Sequence, residues 1–198
     1  MSVREEQGKR FADLDWYGED LGASTFLDCV FVDADLTEAV TRGARFERCE
    51  FRGGALNAST HDDTSFTGCH FRRTSFFAAT LRGCKLVGST FTDARLRTMT
   101  VQGGTWSYVT MRGADLSGLD LTGLKLVEAD LSEADLRGTV LRDADLSRAI
   151  LRQVRLEKTD LRGADVSGVD LTGLEWNGSL VDAATALLVA EAQGVVVS

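Results

Sequence analysis

Residues Ala114 to Gly138 read ADLSG LDLTG LKLVE ADLSE ADLRG, five blocks of five in which Leu116, Leu121, Leu126, Leu131 and Leu136 hold the third place. Followed outward in both directions, the beat runs without an insertion from Phe11 to Val181, giving 35 consecutive centres of which only Thr41 and His61 are not apolar. A five-residue period fits neither the ~3.6 residues of a helical turn nor the ~2 of a strand. The chain must turn a corner in every block to return to one interior line, so it is a solenoid.

Two further columns define the block. Two residues before each centre the side chain is small or slim, as at Ala34, Ala44, Ala94, Ala114, Ala134 and Ala144, with Cys29, Cys49, Cys69, Cys84, Ser24, Thr64 and Val154 as variants. Two residues after each centre stand 15 of the 20 glycines, which suits a corner at positive φ. Four blocks at right angles close a square coil of twenty residues, and successive coils stack by parallel ladders ~4.8 Å apart. Cys29, Cys49 and Cys69 then fall in one inner column, as do Thr41 and His61.

The runs at Ala114–Gly118, Ala129–Glu133, Ala134–Gly138 and Ala164–Gly168 resemble the A(D/N)LxG unit of the pentapeptide-repeat family. A phenylalanine-rich first half, a leucine-rich second half, the DLxGLxLTG stretch from Asp115 to Gly123 and a short helical tail are most similar to its mycobacterial fluoroquinolone-resistance members. The resemblance implies an all-β fold, a right-handed quadrilateral parallel β-helix that dimerises through its C-terminus. It also implies binding to DNA gyrase by imitation of duplex DNA, without catalysis, so that gyrase is inhibited or protected from quinolones and natural gyrase poisons.

The expected organisation is a lead-in at 1–10, a repeat body of about nine coils at 11–181, and a capping and dimerising tail at 182–198. At ~4.8 Å per coil the body is a rod of about 42 Å. No linker interrupts it: there is no proline and the register never slips. Nine of the ten phenylalanines are centres before residue 92, which points to a wider N-terminal core. Residues 1–10 are charged and nothing later forms a long apolar run, so the expectation is a cytoplasmic protein that contacts no membrane.

Catalytic chemistry has no candidate site. The cysteines form no C-x-x-C pair and read as small fillers of the slim column; no metal or cofactor is expected. His61 points inward above Thr41, where a hydroxyl or carbonyl would satisfy it, and it is expected to mark a local distortion of the coil between residues 40 and 62. His70 belongs on the surface.

Charge is where function is expected to lie. Residues 1–40 hold ten acids and three bases, residues 41–112 five and eleven, residues 113–198 fifteen and eight. The total of −8 therefore divides into an acidic start, a basic middle and an acidic end. Spread over the whole rod, that total is under a third of the density of duplex DNA, ~1 charge per 1.7 Å. A C-terminal dimer would place two acidic ends together and raise the central density to about one charge per 2.4 Å. The candidate partner-binding acids are Asp115, Asp120, Glu128, Asp130, Glu133, Asp135, Asp143, Asp145, Asp160, Asp165 and Asp170. Most precede a centre and point outward, where aspartate also serves as a turn former. The basic middle, interleaved with Glu47, Glu50, Asp62 and Asp63, reads as a solvated face that pairs with nearby acids, so no direct nucleic-acid binding is expected.

After Val181 the beat stops. Asp182 suits an N-cap and Gly194 a C′ stop, framing a helix of about eleven residues that is apolar nearly all round. Laid over the last coil it would leave Leu180, Ala184, Leu187 and Leu188 for a twofold partner, and Val195 to Val197 for a strand. The alternative to a gyrase ligand is a non-catalytic interaction solenoid with an unrelated partner.

Overall fold

The structure is a computed structural model that describes residues 3–196. It is a parallel β-solenoid whose ladders join residues twenty apart, but for one step where Gly22 pairs with Thr41. Four columns of bridges follow from the register. Glu5 pairs with Thr25 and then Arg45 on the first face, and Arg10 with Val30 and then Glu50 on the second. Asp15 pairs with Asp35 and then Ala55 on the third, and Asp20 with Val40 and then Thr60 on the fourth. Fourteen three-residue strands build sheets of four, five and five strands on the first, second and fourth faces, while the third is held by single bridges.

The expected β-helix of about nine coils is regular strand for only part of its length. Regular strand makes about five turns and ends at Gln102; beyond it the same twenty-residue register continues as isolated bridges as far as Asp160 to Leu180. The cause is local. In the later blocks the centre carbonyl is taken up within its own turn, as when Ala129 N–H donates to Leu126 O and Ala144 N–H to Leu141 O, which shortens the extended piece to one residue. In several of the earlier strand-type blocks that carbonyl is taken instead by a side chain of the next coil. The Cys49, Cys69 and Cys84 thiols donate to Phe26, Phe46 and His61 O at 3.3, 3.1 and 3.2 Å, and the Ser89 hydroxyl donates to Phe66 O. The cysteines are therefore more than fillers: they satisfy inward carbonyls that alanine would leave unmet. Burial pushes the Cys69 thiol up and Cys84 up to about 12, so both stay protonated.

The coil rise sets the packing of the aromatic core. Phe26, Phe46 and Phe66 stack at 4.9 and 5.0 Å, and Phe31, Phe51, Phe71 and Phe91 at 4.7, 4.8 and 4.9 Å, close to the ladder spacing itself. Rings on neighbouring faces meet edge to face, as Phe26 and Phe31 do at 5.6 Å. Such contacts add roughly 0.5–1.5 kcal/mol per pair to the burial of each ring.

His61 lies fully buried in regular ladder, between Thr41 and Leu81, so the distortion expected there is absent. The only shift of register in that sheet is between Asp20 and Gly22. Hydrogen bonds explain why His61 fits. The Ser59 hydroxyl donates to Leu56 O at 2.7 Å and so accepts from His61 Nε2–H at 2.9 Å; His61 Nδ1 then accepts from Thr41 Oγ1 at 2.7 Å. Burial lowers the imidazole to about 4, so it is neutral at pH 7. His70 is on the surface, against Thr90.

Corners at 8, 13 and every fifth residue to 178 have positive φ, with Ala23 the exception beside Gly22. Sixteen are glycine and eighteen are not, six of the latter being aspartate, which tolerates this conformation better than most residues. Where a side-chain corner stands beneath a glycine corner, the glycine makes room for it: a methyl group on Gly53, Gly83 or Gly163 would collide with the carboxylate of Asp33, Asp63 or Asp143.

Two seams break the ladders. Among the described residues no backbone hydrogen bond crosses from 93–103 to 112–122, or from 150–157 to 170–176. Each opening is centred on a stacked pair of large side chains in the slim column, Met99 with Leu119 and Val154 with Leu174. The slim column is thus not slim everywhere, and its bulky pairs wedge adjacent coils apart. Leu124 is tolerated in that column because Gly104 lies beneath it, and the ladder there holds at 3.5 Å.

The chain ends in the helix Ala183–Ala192, with the Asp182 carboxylate accepting from Thr185 N–H at 2.8 Å and Gly194 at φ +82° beyond its end. Thr185 is buried, and Val189 and Ala192 pack on the core. Leu180, Ala184, Leu187 and Leu188 are exposed. Val195 and Val196 form no strand, and Val197 lies outside the described residues.

Candidate acidic interface

The acids singled out by the sequence take two roles. As turn formers, Asp115, Asp120, Asp130, Asp145 and Asp170 each accept, at one oxygen, the backbone N–H and hydroxyl of the serine or threonine two residues on. Asp165 accepts Ser167 N–H, and Asp135 and Asp160 accept those of Arg137 and Arg162. One oxygen builds the corner and leaves the other for a further partner; at Asp135 and at Asp160, which is buried rather than outward as expected, arginines take it. The Ser167 and Thr172 hydroxyls hold the Asp165 and Asp170 carboxyls below the usual range, so both are ionised at neutral pH.

Ion pairing separates the eleven acids further. Asp115 meets Arg97 at 3.4 Å, Glu128 meets Arg148 at 2.8 Å, and Arg112 lies 3.5 Å from Asp130 and 3.0 Å from Glu133. Asp135 is held by Arg137 and Arg155, and Asp160 by Arg162 and Arg142. The Arg162 guanidinium is the main reason the Asp160 carboxyl lies far below its usual range. Asp120, Asp143, Asp145, Asp165 and Asp170 form no ion pair among the described residues.

Three of those five come together. Asp145 and Asp165 are bridge partners on the first face, and Asp143 is at the corner leading onto it. Asp120 stands on the fourth face, bridged to Val140, and Asp170 on the second. The surface is thus a small group of carboxylates outside ion pairs on one face, with Lys125 one coil below Asp145 in the same column, rather than an acidic sleeve. In the basic middle, Arg42, Arg45, Arg48, Arg52 and Arg82 pair with Asp20, Glu47, Asp28, Glu50 and Asp62. No group of three potential metal ligands occurs among the described residues. No helix among them is long and apolar enough to cross a membrane.

A corner every five residues, four faces and a filled core define a repeat solenoid that presents charge on a rigid rod. The family described as pentapeptide repeats matches in eight copies, over residues 20–57, 62–97, 107–143 and 139–173, and the chain belongs to it. Among solved structures, a trypsin-treated variant of QnrB1, a plasmid-mediated fluoroquinolone resistance protein, is similar at 22% identity with a TM-score of 0.66, over 99% of this chain and 98% of that one. Full-length QnrB1 is similar at 19% identity and a TM-score of 0.61, over 96% and 100%. At these identities the likeness establishes the fold. No curated protein matches the chain.

Proposed function

We propose that this protein is a non-catalytic ligand of DNA gyrase that occupies the enzyme's DNA-binding surface, inhibiting it or protecting it from quinolones and related poisons. The observation that carries the reading is the group of Asp143, Asp145 and Asp165, none of them in an ion pair among the described residues, with Asp145 and Asp165 one coil apart on the first face and Lys125 one coil below Asp145. Regularly spaced anions on a rod are what a phosphate-binding groove recognises. The fold shared with QnrB1, a resistance protein, adds support of a general kind.

A homodimer through the terminal helix completes the proposal, because Leu180, Leu187 and Leu188 are 48%, 47% and 44% exposed beside Ala184 and a twofold partner would cover them. It would bring two stripes toward the middle of one rod. A partner inside the cell places the protein in the cytoplasm.

The experiment is a supercoiling and drug-induced cleavage assay with purified gyrase. Inhibition or protection is expected at micromolar protein, abolished by reversing Asp143, Asp145 and Asp165 to lysine and little changed by reversing the ion-paired Glu128 and Glu133. Absence of any effect together with absence of gyrase binding at low salt would leave the interaction solenoid with an unrelated partner. A monomeric mass at micromolar concentration would remove the dimer.

A further inference from the structure

The seam between residues 93–103 and 112–122 is more than an interruption. It lies on the third and fourth faces, and both of its lips carry backbone groups that no ladder uses. Beside it on the third face is a cleft of about 540 Å³ lined by Phe77, Ala94, Leu96, Arg95, Arg97 and Asp115. Phe77 is 58% exposed at its edge. The lower lip is basic: Arg95 forms no ion pair among the described residues, and Arg97 makes a single one, at 3.4 Å, with its side chain 70% exposed. One coil below, Arg73 occupies the corner beneath Asp93, and Arg72 is in register with Thr92.

Backbone strain marks the same place. Thr98 is the only β-branched residue among the eighteen non-glycine corners, held at φ +63° on the lower lip. Its hydroxyl accepts Ala78 N–H, a donor that neighbouring corners give to a backbone carbonyl of the next coil. A β-branched residue in this conformation is strained, and such strain gathers where a structure binds or switches.

We infer that this seam is a docking cleft for an extended, acidic segment of another protein. Unpaired N–H and C=O groups on a strand-like lip take up a polypeptide backbone by strand addition. The Phe77–Leu96 hollow accepts an apolar side chain, and Arg95 with Arg97 selects a carboxylate. Single-stranded nucleic acid fits less well, since Phe77 is the one exposed aromatic platform at the cleft. The site is separate from the acidic stripe and opposite to it in charge, so it recruits a second partner or a different part of the first.

The test uses fluorescence anisotropy with a labelled decapeptide of alternating glutamate and valine, against alternating lysine and valine and a ten-nucleotide oligo-dT. Saturable binding of the glutamate peptide alone is expected, weakened about tenfold by Arg95→Glu. The double variant Met99→Ala with Leu119→Ala removes the wedge, lets the ladder close and should weaken binding similarly. Hydrogen exchange should show amides of residues 96–103 slowing when peptide is added to the unaltered protein. No saturable binding of the glutamate peptide at millimolar concentration, equal binding of the lysine peptide, tighter binding of oligo-dT, or indifference to Arg95→Glu would each overturn the inference. Should the double variant fail to fold, the Arg95→Glu titration and the exchange footprint decide.

Discussion

The first five turns and the later coils use one five-residue unit and one register, yet they satisfy their inner carbonyls by different means. The early coils extend the unit into three-residue strands, stack phenylalanines, and spend cysteine, serine or threonine in the slim column on carbonyls of the coil before. The later coils close nearly every such carbonyl inside its own turn, where alanine suffices, although the Thr139, Thr159 and Ser179 hydroxyls also reach Leu116, Leu136 and Leu156 O of the coil before. What the difference teaches is that turn type decides whether a slim donor meets an unclaimed carbonyl, while Ala34, Gly54 and Ala94 show that not every strand-type block has such a donor above it.

The largest effect that separates the halves is expected from removing one ring of the stack. Phe46→Ala strips contacts with Phe26, Phe51 and Phe66 and should cost about 4 kcal/mol by chemical denaturation, against about 3 for Leu136→Ala. Equal losses would show that stacking adds nothing beyond volume.

Acid should then attack the first half selectively. His61 titrates at about 4 when folded and near ~6.5 when unfolded, so between those values only the unfolded chain binds the proton. Its contribution is complete above pH ~6.5, declines as pH falls toward 4 and is constant below, a loss of about 3 kcal/mol. The check is the change in denaturation midpoint between pH 7 and 4.5, which should be clearly smaller in His61→Leu; an equal change in both proteins would refute it.

Smaller effects probe corners and carbonyls. Ala78, at φ +56°, should gain roughly 0.5–1 kcal/mol on replacement by glycine, since the relieved corner strain exceeds the added freedom of the unfolded chain. Cys49→Ala should lose about 1 kcal/mol by orphaning Phe26 O, whereas Ala134→Ser should gain almost nothing, because Met111 O already accepts Ala114 N–H. A gain from the serine comparable to the loss from the alanine would erase the distinction drawn between the halves.

The solenoid itself was legible because the period is enforced at every coil: a residue out of phase would put a charge in the core. The helix was legible for a similar reason, since Asp182 and Gly194 act through local backbone chemistry. The seams were not, because Met99, Leu119, Val154 and Leu174 are apolar residues at inward positions and differ from their neighbours only in bulk. A column-by-column comparison of volume would have found them. The division among the acids was hidden differently. Partners such as Arg148 and Glu128, or Arg112 and Glu133, lie twenty and twenty-one residues apart and meet only once the register is applied. Aspartate before a centre builds the turn whether or not it also meets a partner, so its presence alone could not say which acids stay free.

The glycines that stand above side-chain corners carry an evolutionary consequence. Asp33 and Gly53, Asp63 and Gly83, or Asp143 and Gly163 occupy one another's space, so the residues permitted at a corner depend on the one twenty positions away. Replacing Gly163 becomes tolerable only after Asp143 has shrunk or moved. The chain is therefore free to drift along each column in compensating pairs, and its history should be written down the sides of the rod rather than along the sequence.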